Sequence, residues 1–319
     1  MQNKPHVLLW CAPISRTAVE AELRKLTDID LVSVTSADDA IAQVGDADIV
    51  VLPVFHYSPA LANAIRASSK LRLLQLLTIG YDRLLLDKPQ GGLAIASAGD
   101  SLSPAVAEHA VAMMLALGRR LTEAQANLAQ QKWDGSQNAR MFSLDGKSVA
   151  IVGFGAIGRE AAIRLRAFGA HIIGVSRTAP TSDLVDESVG VHDLDSILGR
   201  ADVVMLATPL TDQTRNMFNS ARIARMKKGA VLINIARGQI VDTNALTAAL
   251  QSGHLGGAGL DVTDPEPLPA DHPLWRAPNV VITPHVAAAG GYRRLGIFAA
   301  ENVAAFLRGE TPKALIERT

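Results

Sequence analysis

Residues 148–168 read SVAIVGFGAIGREAAIRLRAF: an apolar run, glycines at 153, 155 and 158, then a segment of helical periodicity. A G-x-G-x-x-G between a strand and a helix uses its first glycine for a tight turn and its second to let backbone approach a pyrophosphate. The third allows close helix–strand packing. Gly153, Gly155 and Gly158, with Ala156 and Ile157 between the last two, therefore predict a phosphate-cradling turn. The helix that follows would offer its free N–H groups to the phosphates.

The same grammar runs through the rest of the chain. HVLLW (6–10), DIDLVSV, ADIVVLPV and KLRLLQLLTIG alternate with helical segments, and a second series holds SVAIVGFG, AHIIGVSR, ADVVMLATP, AVLINIARG, GGAGLDV and NVVITPH. Apolar runs alternating with helices imply parallel sheets covered on both faces. Between the series, 101–133 is a long helical stretch, read as one helix or two broken near Gly118, with Pro104 in its first turn. The expected architecture is α/β with two doubly wound parallel-sheet domains. A Rossmann cofactor domain, 99–286, is inserted in a flavodoxin-like substrate domain, 1–98 and 287–319, and the two are expected to close a cleft on the ligand.

Composition removes several function classes. Lys+Arg and Asp+Glu both number 31, so no net charge draws the chain to nucleic acid or anionic lipid. A single cysteine, Cys11, cannot form an internal disulfide and is read as packed at a strand end. The N-terminal apolar stretch is short and broken by Pro13, and no run reaches the roughly 18 apolar residues of a membrane span, so a cytoplasmic protein is expected. No Cys/His cluster or His-x-x-x-His pair marks a metal site, and no serine occupies a G-x-S-x-G elbow.

The end of the second strand of the cofactor domain bears on which dinucleotide is bound. An NAD enzyme normally carries Asp or Glu there to hold the ribose hydroxyls. Here Ser176, Arg177 and Thr178 follow HIIGV, at 176 − 158 = 18 residues past the last glycine. A guanidinium pairs with a 2′-phosphate that a carboxylate would repel. NADP(H) is expected in preference to NAD(H), which stays the second choice. Asp183 lies beyond Pro180 and is read as a loop residue.

Three later strands deliver polar residues at their carboxyl ends, where doubly wound sheets bind ligands. AVLINIARG leads to Arg237, GLDVTDPEPL to Asp261 and Glu266, and NVVITPHVA to His285. A hydroxy acid needs a bidentate anchor for its carboxylate and a proton carrier near neutrality for its hydroxyl. A carboxylate on the far ring nitrogen would fix the imidazole tautomer. Arg237, His285 and Glu266 suit those roles in turn.

GFGAIG, LINIARGQIVD, GLDVTDPEPL and NVVITPHVAA, in this order, resemble the signature motifs of the D-isomer-specific 2-hydroxyacid dehydrogenase family. The resemblance runs from about LLQLLTIGYDRL to ENVAAFLRGE, and is strongest to glyoxylate and hydroxypyruvate reductases, which also place Ser-Arg after the second strand. It implies hydride transfer between a nicotinamide and a small 2-oxo or 2-hydroxy acid, with D stereospecificity. Arg237 becomes the substrate anchor, Glu266 the orienter and His285 the acid/base. It further implies that Asp261 contacts the nicotinamide amide, that Thr208 and Pro209 line the cofactor with Thr214, Ile235 and Ala236 alongside, and that Val106 packs on the ring. Ile79 and Gly80, in LTIGYD, resemble the backbone loop that holds the substrate carboxylate, together with Arg237 and His285. The long helical segment resembles the family's dimer arm, so a homodimer is expected.

The sequence also departs from the family pattern. TIGYD is bulkier than the usual small-Gly-Val-Asp loop, and TPHVAAAG lacks the common glycine and hydroxyl. With Thr319 as its last residue, the sequence is expected to be distinct from the longer, serine-regulated phosphoglycerate dehydrogenases. His6, His56, His109, His171, His192, His254 and His272 are read as surface or packing residues, His109 as packing or capping on the long helix. Trp133 either reaches over an active site or anchors a subunit contact. Phe55 and His56 end a first-domain strand and belong either to the substrate side or to a plain loop. Two rival functions share the scaffold: a nucleotide-sensing, corepressor-like binding protein, and a formate or phosphite dehydrogenase.

Overall fold

The computed structural model describes residues 4–87, 89 and 91–316. Among them lie twelve strands: β1 (His6–Trp10), β2 (Asp30–Val34), β3 (Ile49–Leu52), β4 (Leu73–Leu76), β5 (Ala94–Ala96), β6 (Ser148–Val152), β7 (His171–Ser176), β8 (Glu187–Gly190), β9 (Val203–Leu206), β10 (Val231–Asn234), β11 (Gly257–Leu260) and β12 (Val280–Ile282). The chain folds into two units, Met1–Leu102 with Gly290–Thr319, and Ser103–Ala289.

The first unit holds a five-stranded parallel sheet in the order β2-β1-β3-β4-β5, the flavodoxin-like arrangement. Its inner strands β3 and β4 are buried at every position, as in strands covered on both faces. The C-terminal helix Tyr292–Leu307 packs on the helix Pro13–Leu23 so closely that a Cβ at Gly296 would stand 2.8 Å from the Ala18 carbonyl oxygen. Gln75 on β4 and Asn302 on that helix are both fully buried and share a 2.8 Å hydrogen bond, Asn302 Nδ2 donating to Gln75 Oε1. Asn302 also accepts from the Lys313 N–H, and Gln75 donates to the Ser97 carbonyl, so the buried amides satisfy one another and the backbone.

The second unit holds a seven-stranded parallel sheet in the order β12-β11-β10-β9-β6-β7-β8. Renumbered within the unit, it is the Rossmann order with one further strand, and its direction of winding reverses between β6 and β9. The register aligns Val149–Val152 with Val203–Leu206, so the loops after these two strands leave the sheet side by side. Helix Ser103–Gly118 covers one face; a Cβ on Gly259 of β11 would meet Met113 at 2.9 Å.

The sequence reading anticipates four strands in the first series and six in the second; the structure adds β5 and β8. Each is a sheet edge of three or four residues, and β8, with Glu187 and Ser188, owes its conformation to hydrogen bonding with β7 and not to its own apolar content. The 101–133 stretch is two helices, Ser103–Gly118 and Leu121–Ala129, with left-handed Arg120 between them. The crossings between units fall 102 − 98 = 4 and 289 − 286 = 3 residues beyond the positions read from sequence. Residues 99–102 turn back within the first unit, where Ser101 N–H donates to the Ala98 carbonyl and Gly99 abuts Phe298. Residue 287 is still bonded to Asp261 of the second. No helix among the described residues is long and apolar enough to cross a membrane.

Candidate active site

The glycine turn after β6 separates three roles. Gly153 has φ +104° and a Cβ there would lie 2.5 Å from the Ala207 carbonyl after β9, and one on Gly158 would lie 2.4 Å from the Gly153 oxygen. Those two are demanded by the protein's own backbone. Gly155 is different: its φ of −83° suits any residue, and a Cβ would meet nothing within 4 Å. Absence of a side chain at that point therefore keeps open space in front of the helix Ala156–Ala167. No side chain caps that helix, so the N–H groups of its first turn, from Ala156 and Ile157 to Gly158, remain orphan donors beside the space. The donor set fits a dinucleotide pyrophosphate.

Ser176 ends β7, and its hydroxyl donates to the Thr178 carbonyl, closing a short turn that carries Arg177. The Arg177 side chain is exposed and has no hydrogen-bond or ion-pair partner among the described residues. Across the winding reversal, Thr208 and Pro209 follow β9. The Thr214 hydroxyl is buried and committed within that loop, donating to the Pro209 carbonyl at 2.7 Å and accepting from the Thr211 N–H at 2.7 Å. The Thr214 hydroxyl thus shapes the loop. Val106 and Ile235 are buried in one apolar cluster with Phe154 and Ala287, and Ala236, next to Ile235 in sequence, is buried in a second cluster.

β10, β11 and β12 are adjacent, and their carboxyl ends bring the polar residues into one region. Asn234 braces the turn after β10: its Nδ2 donates to the Arg237 carbonyl at 2.9 Å and its Oδ1 accepts the Ala236 N–H. A Cβ on the next residue, Gly238, would stand 1.9 Å from the Thr263 carbonyl oxygen, so the Arg237 turn lies directly against the loop leading to Glu266. The Arg237 guanidinium donates to the Ala236 carbonyl at 2.7 Å. Nδ1 of His285 donates to Glu266 Oε1 at 2.8 Å, with both side chains close to half exposed. The proton on Nδ1 leaves Nε2 as the atom that can exchange a proton with a ligand. His285 adopts φ +56°, an uncommon conformation for a residue with a Cβ.

Asp261 underlies this arrangement. It is 2% exposed, and its Oδ1 accepts from the Thr283 hydroxyl at 2.6 Å and the Val286 N–H at 2.8 Å, while Oδ2 accepts the Ala287 N–H at 3.0 Å. Its main-chain oxygen takes the His285 N–H at 2.8 Å. The resemblance implies a contact with a nicotinamide amide; in the structure the hydrogen bonds of Asp261 are directed to the loop that carries His285.

In the first unit, Ile79 and Gly80 follow β4, and their N–H groups donate to no acceptor among the described residues. The preceding Thr78 ties the loop down, its carbonyl accepting the Ala98 N–H and its hydroxyl the Val54 N–H. At the carboxyl end of β3, His56 stacks on Trp10 with ring centroids 4.1 Å apart, and burial lowers its pKa. Phe55 beside it is exposed. Trp133 is fully exposed. No group of three His, Cys, Asp or Glu side chains able to hold a metal occurs among the described residues. Sequence reasoning passed over Asn234 and Thr283, although each stands inside a motif it used, and it placed His109 among packing residues. In the structure His109 Nε2 lies 2.9 Å from the Thr283 hydroxyl.

Residues 111–287 match the family model described as D-isomer specific 2-hydroxyacid dehydrogenase, NAD binding domain. The chain is 36% identical over 265 residues to a glyoxylate reductase of Thermofilum pendens, covering 81% of this chain and 78% of the relative. A D-isomer specific 2-hydroxyacid dehydrogenase family protein from Aeromonas salmonicida superposes with a TM-score of 0.89 at 29% identity, over 99% of each chain. An NADPH-dependent glyoxylate/hydroxypyruvate reductase from Sinorhizobium meliloti, solved with NADP and sulfate, superposes with a TM-score of 0.83 at 26% identity over 98% of each chain.

Proposed function

This chain belongs to the D-isomer specific 2-hydroxyacid dehydrogenase family, an NAD(P)-dependent oxidoreductase acting on small hydroxy or oxo acids, and we propose that it is an NADPH-preferring, D-stereospecific reductase of glyoxylate, hydroxypyruvate or a 2-oxo acid of similar size. The observation that carries this reading is the 2.8 Å bond between His285 Nδ1 and Glu266, on the sheet edge that also carries Arg237. The turn of Gly153, Gly155 and Gly158 would hold a dinucleotide, which would supply the hydride for the oxo acid. Everything else falls to the chain. Arg237 holds the substrate carboxylate and steadies charge on the carbonyl oxygen. Protonated His285 gives its Nε2 proton to that oxygen, and Glu266 fixes the ring through its bond to Nδ1. The product is the 2-hydroxy acid, and in the reverse direction neutral His285 takes the hydroxyl proton.

Ser176, Arg177 and Thr178 are assigned to the adenosine ribose, with Arg177 on a 2′-phosphate. Val106, Thr208, Pro209, Ile235 and Ala236 are assigned to the walls of the cofactor site, and Asp261 to the base of its nicotinamide end. Helix Leu121–Ala129 has no buried residue and exposes Leu121 and Leu128, with Trp133 just beyond. That apolar face is assigned to a second copy of the chain, giving a homodimer.

Steady-state reduction of a panel of 2-oxo acids with NADPH and NADH tests the reading. Turnover of glyoxylate or hydroxypyruvate, faster with NADPH, is expected. Binding of NADPH without turnover would point to a sensor, and cofactor reduction by formate or phosphite would reassign the substrate.

A further inference from the structure

The Thr283 hydroxyl sits between two groups on different elements. Its Oγ1 is 2.6 Å from Asp261 Oδ1 and 2.9 Å from Nε2 of His109, on the helix Ser103–Gly118. A hydroxyl has one proton to give. Oδ1 of Asp261 also takes the Val286 N–H and Oδ2 the Ala287 N–H, which marks the carboxylate as an acceptor, so the Thr283 proton points to Asp261. Nε2 of His109 must then be the donor to Thr283. Its direct distance to Asp261 Oδ1, 3.7 Å, is too long for a hydrogen bond. A three-residue chain results, His109 to Thr283 to Asp261, ending on the carboxylate that also gathers the backbone of residues 286 and 287.

The loop so gathered is the one that presents His285. Its main-chain N–H is held by the Asp261 carbonyl, and its φ of +56° must be imposed by neighbours, because an isolated residue with a Cβ avoids it. His109 is the outermost member of the set that imposes it, and its side chain keeps 24% exposure.

We infer that His109 is a positioning residue for the proton-transferring His285, acting through its Nε2–H bond to Thr283. This inference rests on the acid/base role assigned to His285 above. It makes His109 neither a ligand of the substrate nor a proton carrier. The contribution is to hold Thr283 in the rotamer that completes Asp261, so that the 283–287 loop has one arrangement in place of several. Errors of about 1 Å in the placement of a catalytic group cost up to ~100-fold in rate.

The test uses the full chain with Phe or Gln at position 109 and Val at 283. His109→Phe fills the space and removes the donor; kcat for glyoxylate with NADPH is expected to fall ~10-fold while KM for the acid stays within about twofold, since its anchors are untouched. His109→Gln carries an N–H at nearly the same reach and is expected to restore most of kcat. The double variant His109→Phe/Thr283→Val should be no slower than Thr283→Val alone, because both changes break the same chain. Unchanged kcat in His109→Phe, failure of His109→Gln to rescue it, or losses that multiply in the double variant would each overturn the inference. A second readout is independent of turnover. Nitrogen-15 spectra of the imidazoles in the cofactor-free protein should show His109 protonated at Nε2, with the His285 ring signals displaced in His109→Phe and restored in His109→Gln. The opposite tautomer, or unmoved His285 signals, would overturn the inference whether or not the wild-type protein reduces an oxo acid. A wild-type protein that shows the expected spectra and reduces nothing would refute only the assigned reaction.

Discussion

Glu266 accepts the Nδ1 proton of His285 at 2.8 Å although the two residues reach the site from different loops, one after β11 and the other after β12. The bond settles which ring nitrogen is available to a substrate. Replacing His285 with Ala is expected to lower kcat by ~1,000-fold or more, and Glu266→Gln, which keeps the shape but not the charge, by ~10–100-fold. NADPH affinity, followed by the fluorescence of the reduced ring, should hardly change. Near-normal turnover of His285→Ala would assign the proton to another group.

Arg177 stands exposed and unpaired among the described residues, where an acid would hold an unphosphorylated ribose. Arg177→Asp should move the ratio of kcat/KM for NADPH over NADH by at least ~10-fold toward NADH, since one charge-assisted phosphate contact is lost and a repulsive carboxylate is gained. Paired initial-rate measurements with the two coenzymes give the ratio, and an unchanged value would remove Arg177 from the ribose site.

The glycine turn allows folding and binding to be separated. A methyl at Gly155 enters open space, so Gly155→Ala should melt within about 2 °C of wild type, yet bind NADPH at least ~10-fold more weakly by crowding the phosphates. Gly158→Ala meets the Gly153 carbonyl at 2.4 Å and should lose stability outright. Thermal melts and coenzyme titration of both variants discriminate. Equal dinucleotide affinity in Gly155→Ala would place the pyrophosphate elsewhere.

At the opposite end of the same sheet, Asp202 opens β9. Its Oδ2 accepts the Ser148 N–H at 3.0 Å and its Oδ1 the Lys227 ammonium at 2.8 Å. Burial pushes the carboxyl pKa up, but the bonds from Lys227 and Ser148, with the charge of Lys147, outweigh it and hold the group below its usual range. A depressed folded-state pKa contributes stability that is complete above the unfolded value, about 3.9, and is lost as pH falls through the folded value. Asp202→Asn should therefore lower Tm by ~2–4 °C at neutral pH, with the deficit shrinking as the pH is taken below about 4. A deficit that grows with acidification would reverse the assignment.

The second unit's sheet and its turn were legible because their requirements are local. Gly153, Gly155 and Gly158 act within six residues, and Arg237, Glu266 and His285 each follow an apolar run whose carboxyl end is where a doubly wound sheet binds. The position of Ser176 and Arg177 at the end of β7 was readable for the same reason. The edge strands β5 and β8 were not: Ala94–Ala96 is only three residues long, and Glu187–Gly190 takes its conformation from its neighbour β7 with little apolar content of its own. The bonds of the Thr214 hydroxyl within its loop depended on where Thr211 and Pro209 came to rest.

The chain's own residues thus determined that two parallel sheets would form, that a glycine turn would stand between β6 and the helix Ala156–Ala167, and that Arg237, Glu266 and His285 would follow neighbouring strands. What only the tertiary structure decided is how those side chains are held. His109 and Thr283 are 174 residues apart, and Asp261 reaches Val286 and Ala287 across a neighbouring strand. Periodicity along a chain registers burial and turn chemistry over a few residues; a hydrogen bond between distant segments exists only once packing has placed donor and acceptor within about 3 Å of each other.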